Sequence, residues 1–402
     1  MSEYRIAGQI DGRPSRFAPA AHPLAIYLDH HATTPIDPRV AQAVFRSMTE
    51  TFGNPNSVDH VFGEIAATAV EEARCAVARL VGAETQDVRF TSGASEALRL
   101  ALAYAIERSP SPLKVAVAPI EHPALLDAVD HAVRNGHIQV VWMKVDNKAR
   151  VNVDNIAHAV ACGASLVCLM AANNEVGTLQ PIEETGRLTK TAGVAFLVDA
   201  TQAAGRVELD AQRWGIDYLI LSAHKMYGPK GVGALISPEI AESAPPKLHA
   251  FHAATPNVSG IVGLGEAARL RTAEMAADEA RIKVLRDRLE ARLYRDIPGL
   301  AINGDREHRL ANNLHISVPE APNDAVIAHL RHKVAISTGA ACMSGADAPS
   351  HVLRAMELPA WRQDGALRIS LGKFNTDDEI ERAAEAIIAA ISVVHSALGV
   401  MP

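Results

Sequence analysis

At 402 residues the chain is long enough for two lobes sharing a sizeable core, because domains usually run about 100–200 residues. Its composition, 48% hydrophobic and 21% charged, fits a soluble globular enzyme, and the net charge of −7 argues against a large direct nucleic-acid footprint, which needs a basic face. No apolar run reaches the roughly 18–20 residues of a membrane span, and the acid-bearing N-terminus lacks a secretory signal's apolar segment, so the expected compartment is the cytosol.

Residues 1–25 are polar with Gly, Pro and Ala, and read as an arm or disordered lead-in. The fold begins at Ala25–Leu28, a short strand running into Asp29-His30-His31-Ala32-Thr33-Thr34-Pro35. The paired histidines are candidate metal ligands, yet no third ligand stands at suitable spacing, so no metal is expected. After the turn cluster Gly53–Ser57, the positions Ile65, Val70, Ala73, Val77 and Leu80 fall at helical spacing, with Cys75 inside the helix as packing. The strand Val88–Phe90 ends in Thr91-Ser92-Gly93-Ala94-Ser95-Glu96, which opens a helix over Ala97–Ile106. Free N–H groups and the helix dipole there favour an anion such as phosphate, although Ser95 also suits an ordinary N-cap.

Strands and helices then alternate: Lys114–Ile120, a helix near Ala124–Val133, His137–Val145, Ser165–Ala172, a helix near Glu183–Thr191, Ala195–Ala200, and Tyr218–Leu221. That rhythm predicts an α/β fold whose mainly parallel sheet is covered by helices on both faces, with ligands beyond the carboxyl ends of the strands. Those ends carry Ser95, His122, Asn174, Asp199, Gln202 and Lys225. Cys162 and Cys168, in or beside apolar stretches, read as core. With Cys75 and Cys342 they show neither CxxC pairing nor framework spacing, which argues against disulfides and zinc.

Two of these residues carry the chemistry. Lys225 follows the apolar run Tyr218–Leu221 in Ser222-Ala223-His224-Lys225, and Gly228, Gly231 and Gly233 let the backbone pass close to a flat ring. A lysine at a desolvated, electropositive strand end is suited to form a Schiff base with pyridoxal phosphate, although lysines beside Gly-Pro turns are also common on surfaces. Asp199 closes Ala195–Val198, and an acid closing a buried strand needs a cation or donor. A protonated pyridine nitrogen is such a partner, and a turn cap is the plainer alternative.

After Gly260 the pattern changes to a long helix over Gly263–Asp296, shorter strands at Leu300–Asn303, Asn313–Val318, Val334–Ser337 and Leu367–Leu371, and helices at Ala325–His332 and beyond Thr376, where Thr376 and Glu379 make a capping box. Residues 26–262 are expected to form the large cofactor-binding domain and 263–402 a smaller α+β domain, on which the N-terminal segment packs. Ser337–Pro349 surrounds Cys342 with small residues, as suits a mobile segment carrying a nucleophile.

Taken together, YLDHHATTP, FGNPNS, FTSGASEA, EHPALLDAV, NNEVGTLQPI, LVDATQAAGR, LSAHKMYGPKGVGAL, STGAACMSG and LRISLGKFNT resemble the motifs of the cysteine desulfurases, fold-type I, class V pyridoxal-phosphate enzymes, from about Tyr27 to the C-terminus. The resemblance implies a seven-stranded sheet and a homodimer that takes L-cysteine and hands sulfur to an acceptor protein. It implies that Lys225 holds the cofactor, Asp199 meets the ring nitrogen, His122 stacks on the ring, and Gln202 and Asn174 contact the ring oxygen or the substrate. Ala94, Ser95, Ser222 and His224 then hold the phosphate, Thr255 reaches the phosphate of the partner subunit, Arg368 binds the substrate carboxylate, and Cys342 becomes a persulfide. A selenocysteine lyase or class V aminotransferase without a persulfide relay is the enzymatic alternative, and a silent sulfur-binding scaffold the non-enzymatic one. The segment between Gly233 and Thr255 is shorter than usual, which resembles desulfurases serving DNA phosphorothioation. Iron–sulfur assembly and tRNA thiolation are equally implied.

Overall fold

The apolar runs that end in polar residues become the strands of one central sheet in the computed structural model, which describes residues 25–109, 112–239, 255–339 and 350–400. The short strand β1 (Ile26–Tyr27) stands apart from that sheet. The sheet is built from β2 (Val88–Thr91), β3 (Leu113–Val117), β4 (Ile138–Trp142), β5 (Leu166–Cys168), β6 (Ala195–Asp199), β7 (Tyr218–Ser222) and β8 (Gly233–Ile236). Among the described residues it has seven strands in the order β2-β8-β7-β6-β5-β3-β4, with β8 antiparallel to both neighbours and the other pairings parallel.

Side-chain alternation explains why these strands are apolar throughout. Phe196 and Val198 of β6, with Leu219 and Leu221 of β7, enter one core; Leu197, Tyr218 and Ile220 enter another on the opposite face. Both faces of these central strands are covered, so they leave no position for a solvated side chain, whereas β4 at the sheet's edge exposes Gln139 and Trp142. Helices α3 (Ala94–Glu107) and α4 (Pro123–Arg134) cover one face, while α2 (Val61–Leu80), α5 (Val153–Ala161) and α6 (Ile182–Ala192) contribute to the other.

The 39-residue helix α7 (Val258–Asp296) runs through both lobes. Its Ile261, Leu264, Ala267 and Leu270 pack in the first core, and its Ile282, Leu285, Leu289 and Leu293 pack in that of the small lobe. The division expected at residues 262 and 263 thus falls inside this helix. Gly265 lets it lie against α2, because a Cβ there would stand 2.5 Å from the Ala73 Cα.

The small lobe holds β9 (Ala301–Ile302), β10 (Asn313–Ser317) and β12 (Ala366–Ser370) as an antiparallel sheet, with helix α8 (Asn323–Leu330) and a long last helix, Asp377–Leu398, whose Thr376–Glu379 capping box is formed. Between them, β11 (Val334–Ala335) pairs with β1 in parallel, and Ile26 and Leu28 enter this lobe's core. The seventh strand of the central sheet is β8, which follows the glycine turn.

Two helices of the large lobe stand where the periodicity predicted none, α1 (Pro38–Glu50), started by Asp37 as N-cap with proline behind it, and α5; in the small lobe the one-turn helices His351–Ala355 and Ala360–Asp364 do as well. Two cysteines read as packing are exposed. Cys75 lies on the outer face of α2 and Cys162 caps the end of α5, whereas Cys168, the last residue of β5, is buried in the core that α3 and α4 cover. Residue type marks a small apolar side chain, but the face it takes is set by the element. The N-terminal arm (1–24), most of the shortened segment (240–254) and Cys342 lie outside the described residues.

Candidate active site

A cavity of about 600 Å³ opens at the carboxyl ends of β6 and β7, beside the N-terminus of α3. Its lining includes Lys225, Asp199, Gln202, His122 and Asn174, then Ala94, Ser95, Ser222 and His224, and finally Arg368 from the small lobe. Ten of the twelve residues singled out in the sequence thus meet in one place. Thr255 does not line it; it borders a neighbouring cavity of about 410 Å³ that shares Ser92, Glu96 and Gly231 with the first. Cys342 is the twelfth.

Each side chain is placed by a break in regular structure. β7 ends at Ser222 and a single tight turn, Ala223–Lys225, swings Lys225 into the cavity, where its Nζ donates to the carbonyl oxygens of His31 and Ala32. Two residues later Tyr227 takes a positive φ of 66°, a conformation that bulky side chains rarely adopt. It is held there from three sides: its N–H donates to Thr34 Oγ1 at 2.8 Å, its hydroxyl accepts from the Lys373 N–H at 2.9 Å, and the Lys373 ammonium stands 4.7 Å from its ring centroid.

The turn between β2 and α3 gives the cavity its anion end. Gly93 is the N-cap residue and no side chain caps the first turn, so N–H groups of Ala94 and Ser95 face the cavity without an intrahelical acceptor. Gly233 keeps that turn close to β8, since a Cβ there would meet the Leu221 carbonyl oxygen at 2.6 Å and the Gly93 Cα at 2.9 Å. His224 stands by in neutral form: burial first, then the charges of Lys225 and Lys230, lower it to about 4, and its Nδ1 meets Thr33 Oγ1 at 3.1 Å.

At the ring end, the Asp199 side chain accepts from the Thr201 N–H at 2.9 Å. His122 is the N-cap of α4, where its Nδ1 accepts from the Ala124 N–H at 3.1 Å. A neutral His122 therefore carries its proton on Nε2. Gln202 donates through Nε2 to the His31 carbonyl oxygen at 2.9 Å, leaving Oε1 buried without a partner, and Asn174 Oδ1 is in the same state. Buried polar atoms without partners at a cavity wall point to a bound group that completes them.

Arg368 is 3% exposed and enters from β12. Its Nη2 meets Asp29 Oδ1 at 2.8 Å, its Nη1 donates to the carbonyl oxygens of Asn174 and Gly339, and its Nε has no partner. The paired histidines tie the lobes together rather than ligate. His30 Nδ1 donates to the Ser370 carbonyl oxygen at 2.9 Å and His31 Nδ1 to that of Asn174 at 3.0 Å. Burial holds His30 down at about 3.

Several residues at this site escaped the sequence reading. The backbone carbonyls of His31 and Ala32 hold the Lys225 amine, and residue types do not announce a backbone role. Glu121, beside His122, is fully buried; its Oε1 accepts from the Met170 N–H at 2.7 Å, its Oε2 has no partner, and its carbonyl accepts from His351 Nε2. Burial, with the nearby Asp199 charge, raises its carboxyl to about 8. A folded-state value above the unfolded one of about 4.5 stabilises the protein fully below that lower value, and the benefit is lost as pH rises through the higher one. Glu121→Gln keeps the acceptor and does not titrate. Its melting temperature relative to the parent should therefore climb from about pH 5 to about pH 9, by a gain on the order of a few kcal/mol, and a flat difference across that range would refute the assignment.

A flat, phosphorylated pyridine aldehyde fits these donors: an amine to bond it, a buried carboxylate for the ring nitrogen, amide oxygens lacking partners, and a helix N-terminus for the phosphate. Comparison with known proteins agrees. The class-V aminotransferase family matches residues 26–383. A cysteine desulfurase IscS of Anaeromyxobacter sp. (strain Fw109-5) is 39% identical over 373 residues, covering 91% of this chain and 92% of its own. Among solved structures, a NifS-like protein superposes with a TM-score of 0.83 at 31% identity, covering 92% of this chain and all of its own. The structure of SspA in complex with cysteine has a TM-score of 0.74 at 26% identity, covering 88% of this chain and all of that one. With the cavity and these likenesses in agreement, the chain belongs to the class-V aminotransferase family and, within it, to the pyridoxal-phosphate-dependent cysteine desulfurases.

Proposed function

We propose that this protein converts L-cysteine to L-alanine, stores the sulfur as a persulfide on Cys342 and passes it to an acceptor protein. The observation that carries the reading is the convergence of Lys225, Asp199, His122 and Arg368, from four separate elements, on one cavity. Bound pyridoxal phosphate supplies an electron sink for the substrate carbon that loses its proton. Lys225 anchors the cofactor and, once displaced by substrate, carries the α-proton. Asp199 stabilises the positive ring nitrogen, and His122 covers the ring and presents Nε2–H to it. Ala94, Ser95, Ser222 and His224 hold the phosphate. Arg368 takes the substrate carboxylate in a two-pronged contact, with Asn174 and Gln202 completing the polar wall. That a similar structure was solved with cysteine bound supports this choice of substrate.

Sulfur leaves by displacement. The Cys342 thiolate attacks the substrate sulfur, an S–S bond forms, and the carbon–sulfur bond breaks with its electron pair retained on carbon, which is then protonated and released as alanine. Cys342→Ala is expected to lower persulfide formation and sulfide release from cysteine by about 100-fold or more. Mass measurement of the enzyme after one turnover checks it; unchanged sulfide release would exclude the relay.

The working unit in this reading is a homodimer. Phe45, Met48, Phe52, Val61 and Phe62 are all more than half exposed along α1 and the start of α2, with the Phe52 and Phe62 rings stacked at 5.4 Å. So many large apolar side chains in one place mark a contact surface, and the exposure of Thr255 beside the second cavity supports its reaching a partner's phosphate in such a dimer. Phe52→Glu should shift sedimentation toward the monomer, and an unaltered dimer would remove this surface from consideration. No helix among the described residues is long and apolar enough to cross a membrane, and the described cysteines are free, which supports a reducing compartment such as the cytosol.

A further inference from the structure

Arg206 takes no part in the steps above, yet it touches the reactive turn. Its side chain is 1% exposed, and its Nη2 donates to the carbonyl oxygen of Lys225 at 3.1 Å. A buried guanidinium is costly unless acids meet it closely. Here they do not. Glu279 Oε1 stands 3.9 Å from Arg206 Nη1 and closer, at 3.3 Å, to Nη2 of Arg271, whose Nη1 also holds Asp278 at 2.5 Å. Arg206 Nε and Nη1 have no hydrogen-bond partner. The closest polar contact the structure gives this cation is thus a backbone oxygen of Lys225, not a carboxylate.

Its charge reaches the cavity. Burial first, then the Arg206 and Arg368 guanidinium groups, hold His31 well below its ordinary value, and the His31 carbonyl is one of the two oxygens that hold Lys225 Nζ. The charged groups that line the cavity with Lys225 are Asp199 and Glu96 on the negative side, Lys230 and Arg368 on the positive. The titratable rings there are His31, His122 and His224. Two negative groups are set against two positive ones at the cavity wall, and Arg206 adds a cation hydrogen-bonded to the Lys225 backbone while both acids of its cluster lie closer to Arg271.

We propose that Arg206 is a positioning residue for Lys225: its guanidinium fixes the turn through the Lys225 carbonyl and supplies the positive potential that keeps the Lys225 amine in its neutral, nucleophilic form. The inference rests on Lys225 being the amine that takes the cofactor. An ammonium cannot condense with an aldehyde, and a nearby like charge disfavours the ammonium.

The test is competitive acetylation of the full-length chain, freed of cofactor, over a range of pH, with the Lys225 peptide quantified by mass spectrometry. Arg206→Met should raise the midpoint of Lys225 reactivity by about one pH unit, and the pH midpoint for the rate of pyridoxal phosphate capture should move with it. Arg206→Lys, which keeps the charge, should hold the parental midpoint. Glu279→Gln removes the acid shared with Arg271 and should lower it. This last variant leaves Arg206 in place, so it tests the field even where Arg206→Met fails to fold. An unmoved midpoint in Glu279→Gln, or a rise in Arg206→Lys equal to that in Arg206→Met, would overturn the proposal. Borohydride reduction followed by peptide mapping of the parental holoenzyme reports separately whether the cofactor sits on Lys225, so the two readings fail distinguishably.

Discussion

Lys225→Ala is expected to cut cysteine turnover by about 10³-fold or more and to abolish the borohydride-reducible bond between protein and cofactor. Both effects follow from position. The side chain leaves the end of a buried strand through a one-turn helix, its amine rests on two backbone oxygens, and the turn behind it is locked by the strained Tyr227. No side chain of another residue type brings an amine to that point. Lys230 is the other lysine lining the cavity, which makes the experiment informative. The variant should still bind the cofactor, more weakly, through the α3 N-terminus and Asp199, and give up all of it on denaturation. Cofactor that remains covalently attached after reduction, mapped to Lys230, would transfer the role to that residue.

Arg368→Met is expected to lower kcat/KM for cysteine by about 100-fold or more, mainly through KM. A buried guanidinium with one unpartnered nitrogen keeps a donor for a carboxylate, and Asp29 on another nitrogen keeps it oriented. The variant also takes the arginine donor from Asp29 and from the Gly339 carbonyl, while the Asn174 carbonyl keeps His31, so a loss of stability of about 1–3 kcal/mol should accompany the kinetic change. Arg368→Lys distinguishes the two effects. It retains the charge but not the fork, and should recover stability more than KM. Steady-state kinetics paired with thermal melts read both; an unchanged KM in Arg368→Met would place the substrate carboxylate elsewhere.

The parts of this fold that were legible from sequence are those where one strong local signal sufficed. A strand such as Ala195–Asp199, apolar on both faces and closed by an acid, announces both a buried sheet and a strand end that needs a partner. The capping box at Thr376 and Glu379 likewise fixes where a helix starts. What stayed hidden depends on partners far away in the chain. β1 and β11 were each legible as short strands, but that they pair with one another, 308 positions apart at Ile26 and Val334, was not. α5 carries its N-cap at Asn152 and buries two residues, Ile156 and Ala159, too few for a clear helical period. At the site, the side chains that act directly were legible because their chemistry is unusual at a strand end. Glu121 and Arg206 were not, because an acid beside a histidine or an arginine in a turn looks like any solvated charge until burial is known.

The long helix α7 has a mechanical consequence. A rod of 39 residues, about 58 Å from end to end, is seated in the hydrophobic interiors of both lobes, and no break in its hydrogen-bond ladder offers a joint. Torque applied at one lobe is therefore delivered to the other, which couples the position of Arg368 on the small lobe to that of Lys225 on the large one. The Arg368 guanidinium and the Lys225 amine are held to a common ruler, so a substitution that kinks this shaft should disturb catalysis at a distance without touching the cavity wall.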